Sequence, residues 1–260
     1  MRLKAFRKEI LFSLLLASTA CCHALAASSA QATNPEALLS YNGQQAVMLA
    51  QELIRQKKYS EALKQADKAI KADPHAGTPY MVKAFIYDLL GETKKAAAMH
   101  SKAVALTPNN GFVRNAYAAH LCEQKQYVEA DNMFLQATQD RNYPFAYQAL
   151  ENAAQCAFEN DDLALAEQRA RSALAINTES SGALLMMAQI KFKQSKFFEA
   201  RAFIQRLESL GPLSASILNL AMQIEKSAGD DRAAANYQKQ LELISQAQIQ
   251  PPTGEGQKKP

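Results

Sequence analysis

Tryptophan is absent from the 260 residues, and glycine and proline number only nine each. An all-β chain needs a turn every ~8–12 residues and would carry more turn-formers than that. After residue 20 no stretch offers the ~20 apolar residues that a membrane span requires. No H-E-x-x-H, C-x-x-C or glycine-rich phosphate loop occurs, which excludes the helical zinc-protease, redox-dithiol and P-loop classes. The acidic run Glu159-Asn160-Asp161-Asp162 lacks EF-hand spacing and reads as a solvated turn. An excess of one charge is also missing. Residues 1–20 hold four of the 29 basic and one of the 25 acidic side chains, so the remainder is nearly balanced. That balance gives no electrostatic basis for nucleic-acid binding. His75 falls in a loop, and His100 occupies a repeat position that is normally packed, so it reads as a core histidine. His120 and Cys122 lie two apart on one predicted helix and point to different faces, which argues against a nucleophile pair. The expectation is no catalytic residue, no metal, no cofactor and no small-molecule substrate.

What is present begins with an export signal. Arg2, Lys4, Arg7 and Lys8 form a basic region, and Ile10 to Ala20 an apolar one too short for a stable span. Two cleavage readings stay open. Ala17-Ser18-Thr19-Ala20-Cys21 resembles a lipobox, with lipid carried on Cys21, although Ser18 stands where leucine is usual. In the other reading an ordinary peptidase cuts after Ala24-Leu25-Ala26 or Ala30-Gln31-Ala32. With lipid on Cys21, the next residue is Cys22 and not a retaining aspartate, which favours the periplasmic face of a bacterial outer membrane; without it the chain would be soluble in the periplasm.

A repeat dominates the rest. Ala62, Ala96 and Ala130 are 34 residues apart, as are Ala166, Ala200 and Ala234; the step between the two sets is 36. The two extra residues are assigned to Arg141-Asn142-Tyr143-Pro144. Six units start at Gly43, Gly77, Gly111, Tyr147, Ser181 and Ala215. Their eighth residue is Ala50, Ala84, Ala118, Ala154 and Ala188, with Met222 in the last unit. Tyr59, Tyr127, Leu163 and Phe197 open the second half of four units, and Pro74, Pro108 and Pro212 close three. A 34-residue period with small residues at fixed positions is the signature of the tetratricopeptide repeat (TPR), two antiparallel helices per unit. Small residues let the backbones approach, and each unit buries its apolar face only against its neighbours. The expected fold is all-α, a TPR superhelix of six helix-turn-helix repeats. The expected boundaries are a signal peptide at 1–20, a lipid-anchored or flexible tether at 21–42, the repeats at 43–246 and a disordered tail at 247–260.

Function should then lie on the face lined by the first helix of each repeat. The inward positions include Val47, Gln51, Met81, Phe85, Phe112, Asn115 and Ala119, a neutral, apolar and amide-rich set. It lacks the lysine and arginine that clamp acidic chaperone tails, and it suits an extended or helical peptide. Cys122 and Cys156 fall on neighbouring first helices at similar height. They make a disulfide candidate between the third and fourth repeats; two small buried thiols is the other reading.

The segment Asn115 to Tyr127 with Glu129-Ala130, and the stretch Ala149-Leu150-Glu151-Asn152-Ala153-Ala154-Gln155-Cys156-Ala157, together resemble the PilF/PilW family of type IV pilus biogenesis proteins. That family pairs LCEQ-x-x-Y-x-EA with ALENA-x-x-CA, and both motifs stand here with both cysteines. The resemblance implies a six-repeat outer-membrane protein, often a lipoprotein, that acts as a pilotin. It would help the pilus secretin subunit localise and assemble, supporting pili and twitching motility. A general periplasmic TPR adaptor for another envelope machine is the alternative.

Overall fold

The computed structural model describes residues 39–249, with side chains to residue 246. Cys21, the signal segment, most of the expected tether and the tail from residue 250 lie outside the described residues. Among the described residues every regular element is helical. In chain order they are α1 (Tyr41–Arg55), α2 (Tyr59–Ala72), α3 (Gly77–Leu90), α4 (Thr93–Leu106), α5 (Gly111–Glu123), α6 (Tyr127–Ala137), α7 (Ala146–Glu159), α8 (Leu163–Ile176), α9 (Ser181–Lys193), α10 (Phe197–Leu210), α11 (Ala215–Ser227) and α12 (Asp231–Ile249). The first helix opens two residues before Gly43, and the last runs three residues past 246 into the segment expected to be a tail. The block expected at 43–246 divides, among the described residues, into two compact units that meet between Asn160 and Asp161. Their boundary falls in the turn after α7, within the fourth repeat.

The alanine register explains why hairpins form. Ala50, Ala84, Ala118, Ala154 and Ala188 have no exposed surface, and the same holds for Ala62, Ala96, Ala130, Ala166 and Ala200. A methyl group is the largest side chain that fits where helix backbones cross this closely. Met222 departs from the pattern, and its neighbour Ala221 takes the buried place in α11.

The turns within repeats are just as regular. Lys57, Gly91, Lys125, Asp161, Ser195 and Gly229 all adopt φ between 59° and 78°. These positions follow the same 34-34-36-34-34 spacing as the alanines. In five of the six turns the following amide reaches back to a carbonyl five residues earlier, as in Lys58 N to Leu53 O and Gln126 N to Leu121 O, both 2.9 Å. This left-handed closure satisfies the carbonyls that a helix C-terminus leaves open. Gly91 and Gly229 take it without steric cost, whereas the other four carry a Cβ there.

In the first unit, the long connection between α6 and α7 holds Arg141 to Pro144. Tyr143 is buried there, its ring against Gly111, where an added Cβ would fall 2.5 Å from ring carbon. Tyr143 packs edge-on to Phe112 at 4.9 Å and to Phe145 at 6.0 Å. The irregular step is thus filled by aromatic surface.

In the second unit, Lys191 of α9 is buried and donates to Glu167 of α8 at 2.8 Å. Glu167 also accepts from Arg171 at 2.7 Å and Gln194 at 3.3 Å. Burial alone would raise the Glu167 pKa, but hydrogen bonds from Lys191, Arg171 and Gln194 outweigh it and hold the value down at about 2. A carboxylate held below its unfolded pKa stabilises the fold above that unfolded value, and the contribution is lost as pH falls through the folded one. The melting temperature of the second unit should therefore drop on acidification from about pH 4.5 towards 2. Glu167→Gln should flatten that part of the melting-temperature profile; an unchanged slope would refute the assignment.

Candidate protein-binding surface

The residues expected to line a groove are mostly interior. Val47, Gln51, Met81, Phe85 and Asn115 are all buried, between 2% and 8% exposed, and only Phe112 and Ala119 are half-buried. This corrects the expectation of an open lining at those five positions. Val47, Met81, Phe85 and Val113, from α1, α3 and α5, belong to one apolar cluster that α2 and α4 also enter through alanines, with Phe112 against it. Successive first helices pack on each other through these side chains. Asn115 is spent within the protein too, its Oδ1 accepting from Asn152 of α7 at 3.1 Å.

The accessible apolar side chains lie elsewhere. In the first unit Tyr41 (76% exposed), Met48 and Leu49 stand out from α1, Leu90 ends α3, and Val128 opens α6. Tyr41 and Met48 are seven residues apart and share a helical face. Met48 is the sixth residue of its repeat, an inward position of the same pattern, so its signal was present in the sequence. In the second unit Ile176, Phe198, Leu210 and Leu243 are the exposed apolar residues.

Cys122 of α5 and Cys156 of α7 are joined sulfur to sulfur, with Cα atoms 5.9 Å apart. Both are buried among Ala118, Leu121, Ala149 and Ala153. The bond closes a loop of 34 residues. In the chain-entropy view such a loop stabilises by ~4 kcal/mol. Chain purified without reductant and unfolded in denaturant should show no free thiol at these two positions. Dithiothreitol should then lower the unfolding temperature of the first unit. Two titratable thiols in the oxidised preparation would contradict the linkage.

A group that the sequence did not reveal sits between the second and third repeats. Asp88 of α3 accepts at Oδ2 from His100 Nε2 (2.8 Å) and at Oδ1 from His120 Nδ1 (2.7 Å). His100 and His120 are buried. Burial pushes the His100 pKa down, only partly offset by Asp88. For Asp88, burial acts to raise the pKa, but the two histidine hydrogen bonds and charges carry it below the usual carboxylate value. The three residues are 12 and 32 positions apart, so only the packed helices bring them together.

Paired helices at a 34-residue period, alanines at each crossing and no strand among the described residues define a tetratricopeptide-repeat protein. Proteins of this class are non-enzymatic adaptors that bind other proteins. The sequence family described as tetratricopeptide repeat matches residues 47–111 and 121–181. The chain is 29% identical over 177 residues to the type IV pilus assembly protein PilF of Pseudomonas aeruginosa, covering 68% of this chain and 70% of that protein. The crystal structure of PilW, described as a widely conserved type IV pilus biogenesis factor, superposes with a TM-score of 0.72 at 26% identity, over 80% of this chain and 95% of PilW. The structure of Pseudomonas aeruginosa PilF gives 0.68 at 26% identity, over 78% and 91%. The chain is thus a tetratricopeptide-repeat protein homologous to PilF and similar in structure to both PilW and PilF.

Proposed function

We propose that the chain is a type IV pilus biogenesis factor that assists the localisation and assembly of the pilus secretin. The observation that carries this reading is the match to PilW and PilF over 95% and 91% of those chains. The paired motifs around Cys122 and Cys156 support it, because they are more specific than the repeat pattern alone. Lipid on Cys21 would supply the address at the outer membrane. Among the described residues no helix is long and apolar enough to cross a membrane. The repeats would supply the grip. Holding a secretin segment during transit shields apolar or edge-strand surface from aggregation. Tethering partners to one membrane raises their effective concentration.

The test is genetic and uses the native host. Deletion should abolish or mislocalise heat- and detergent-resistant secretin multimers. Wild-type chain should restore them, and Cys21→Ala should not. Restoration by Cys21→Ala would remove the lipid from the reading while keeping the scaffold. Normal multimers and pili in the deletion strain would overturn it in favour of a general envelope adaptor.

A further inference from the structure

We propose that Asp88, His100 and His120 form a zinc-binding site that staples the second repeat to the third. Two imidazoles and one carboxylate are a donor set that zinc accepts. One ligand atom from each residue lies within 4.8 Å of the others. The residues come from α3, α4 and α5, so three packed helices fix the geometry and no loop has to close. Zinc bonds of about 2.0–2.2 Å place tetrahedral ligands roughly 3.3 Å apart. The 2.7 and 2.8 Å contacts, one to each Asp88 oxygen, would open by about half an ångström to admit the ion, while the widest of the three ligand-atom spacings, within 4.8 Å, would close towards it.

The surroundings suit a neutral-imidazole site. Both rings are buried, 5.0 Å apart between centroids, and Tyr117 stacks on His100 at 5.7 Å. The Asp88 side chain keeps 13% exposure, which gives the ion a way in and leaves room for water as fourth ligand. His100 Nδ1 has no partner and so stays clear of any competing hydrogen bond. On binding, a neutral ring would shift its hydrogen-bonded N–H proton to its other nitrogen, a doubly protonated ring would release it to solvent, and Asp88 would exchange its two N–H donors for the metal. A hydrogen-bonded bridge with no metal affinity is the competing account.

Tag-free mature chain, stripped with chelator, should bind one equivalent of Zn2+ by calorimetry. Co2+ in its place should give the absorption bands of a low-symmetry site. Zn2+ should also raise the unfolding temperature of the first unit. In the wild-type protein, 15N signals of the His100 and His120 rings should move on adding Zn2+, while that of exposed His75 stays. His120→Gln, checked for native helicity, should weaken binding by more than about ten-fold, the least that even an outer-sphere partner costs when lost. No stoichiometric Zn2+ uptake would overturn the site and leave the bridge. Ring shifts at His75 in place of His100 and His120 would overturn it too, as would full affinity in a folded His100→Gln/His120→Gln chain. These readouts use purified protein and are independent of any role in pilus assembly.

Discussion

Phe134→Ala should lower the unfolding free energy of the first unit by about 3–5 kcal/mol, towards the upper end of that range. Phe134 is the largest fully buried side chain of α6, with 1% of its surface exposed. Its cluster is built largely from Ala118, Ala130, Ala137, Ala149, Ala153 and the two cysteines. The cost of a large-to-small change depends on how far the site collapses into the space left. Alanines have no rotamers with which to fill a hole, so collapse would rest on the few larger members, Leu121, Met133 and the aromatic rings, or on helix backbones moving. The Cys122–Cys156 linkage ties α5 to α7 and opposes that movement. Tyrosine emission in a denaturant titration can report the change, because eight of the nine tyrosines lie in the first unit and tryptophan is absent. Val128→Ala on the same helix is the control. Val128 is 78% exposed, and its loss should stay within about 0.5 kcal/mol. Equal losses in the two variants would mean that Phe134 is not the pillar described.

The fold was legible because its information is periodic. Ala62, Ala96, Ala130, Ala166, Ala200 and Ala234 announce the register, and each is buried with 0–2% exposure. The turn residues repeat with the same spacing, although four of them are not glycine, so composition alone would miss them. The binding surface was less legible. Repeat position tells which way Val47, Gln51, Met81, Phe85 and Asn115 point, but not how much of each the next hairpin covers. That overlap depends on the size of the facing side chains. Here Met81 and Phe85 share one buried cluster with Val113 of the next hairpin, and Phe112 packs against that cluster. Asp88 carried no signal at all: an aspartate near a helix end reads as solvated until α4 and α5 bring two histidines onto it.

The same contrast between what one residue shows and what its neighbour makes of it governs Arg201. Arg201→Ala should destabilise the second unit by about 3 kcal/mol, far more than an exposed ion pair would. Arg201 of α10 donates through Nε to Glu225 Oε1 at 2.8 Å and through a terminal nitrogen to Oε2. The fork matches the carboxylate with two parallel bonds, a geometry lysine cannot reproduce. Glu225 on α11 has a side chain only 5% exposed, whereas Arg201 is 25% exposed and Asp230 is 41% exposed. Removing the arginine therefore strands the buried partner, and an uncompensated buried charge is the expensive case. Removing both charges is not: Arg201→Leu with Glu225→Leu should return to within about 1 kcal/mol of wild type, since apolar replacement of a buried pair is often neutral. Arg201→Lys should fall between, because it keeps the charge and loses the fork. Hydrogen exchange of the α11 amides reports this locally, with protection reduced in Arg201→Ala and recovered in the double variant. A double variant as unstable as Arg201→Ala would show that α10 and α11 are held by the shape of the arginine stem and not by the charge it carries.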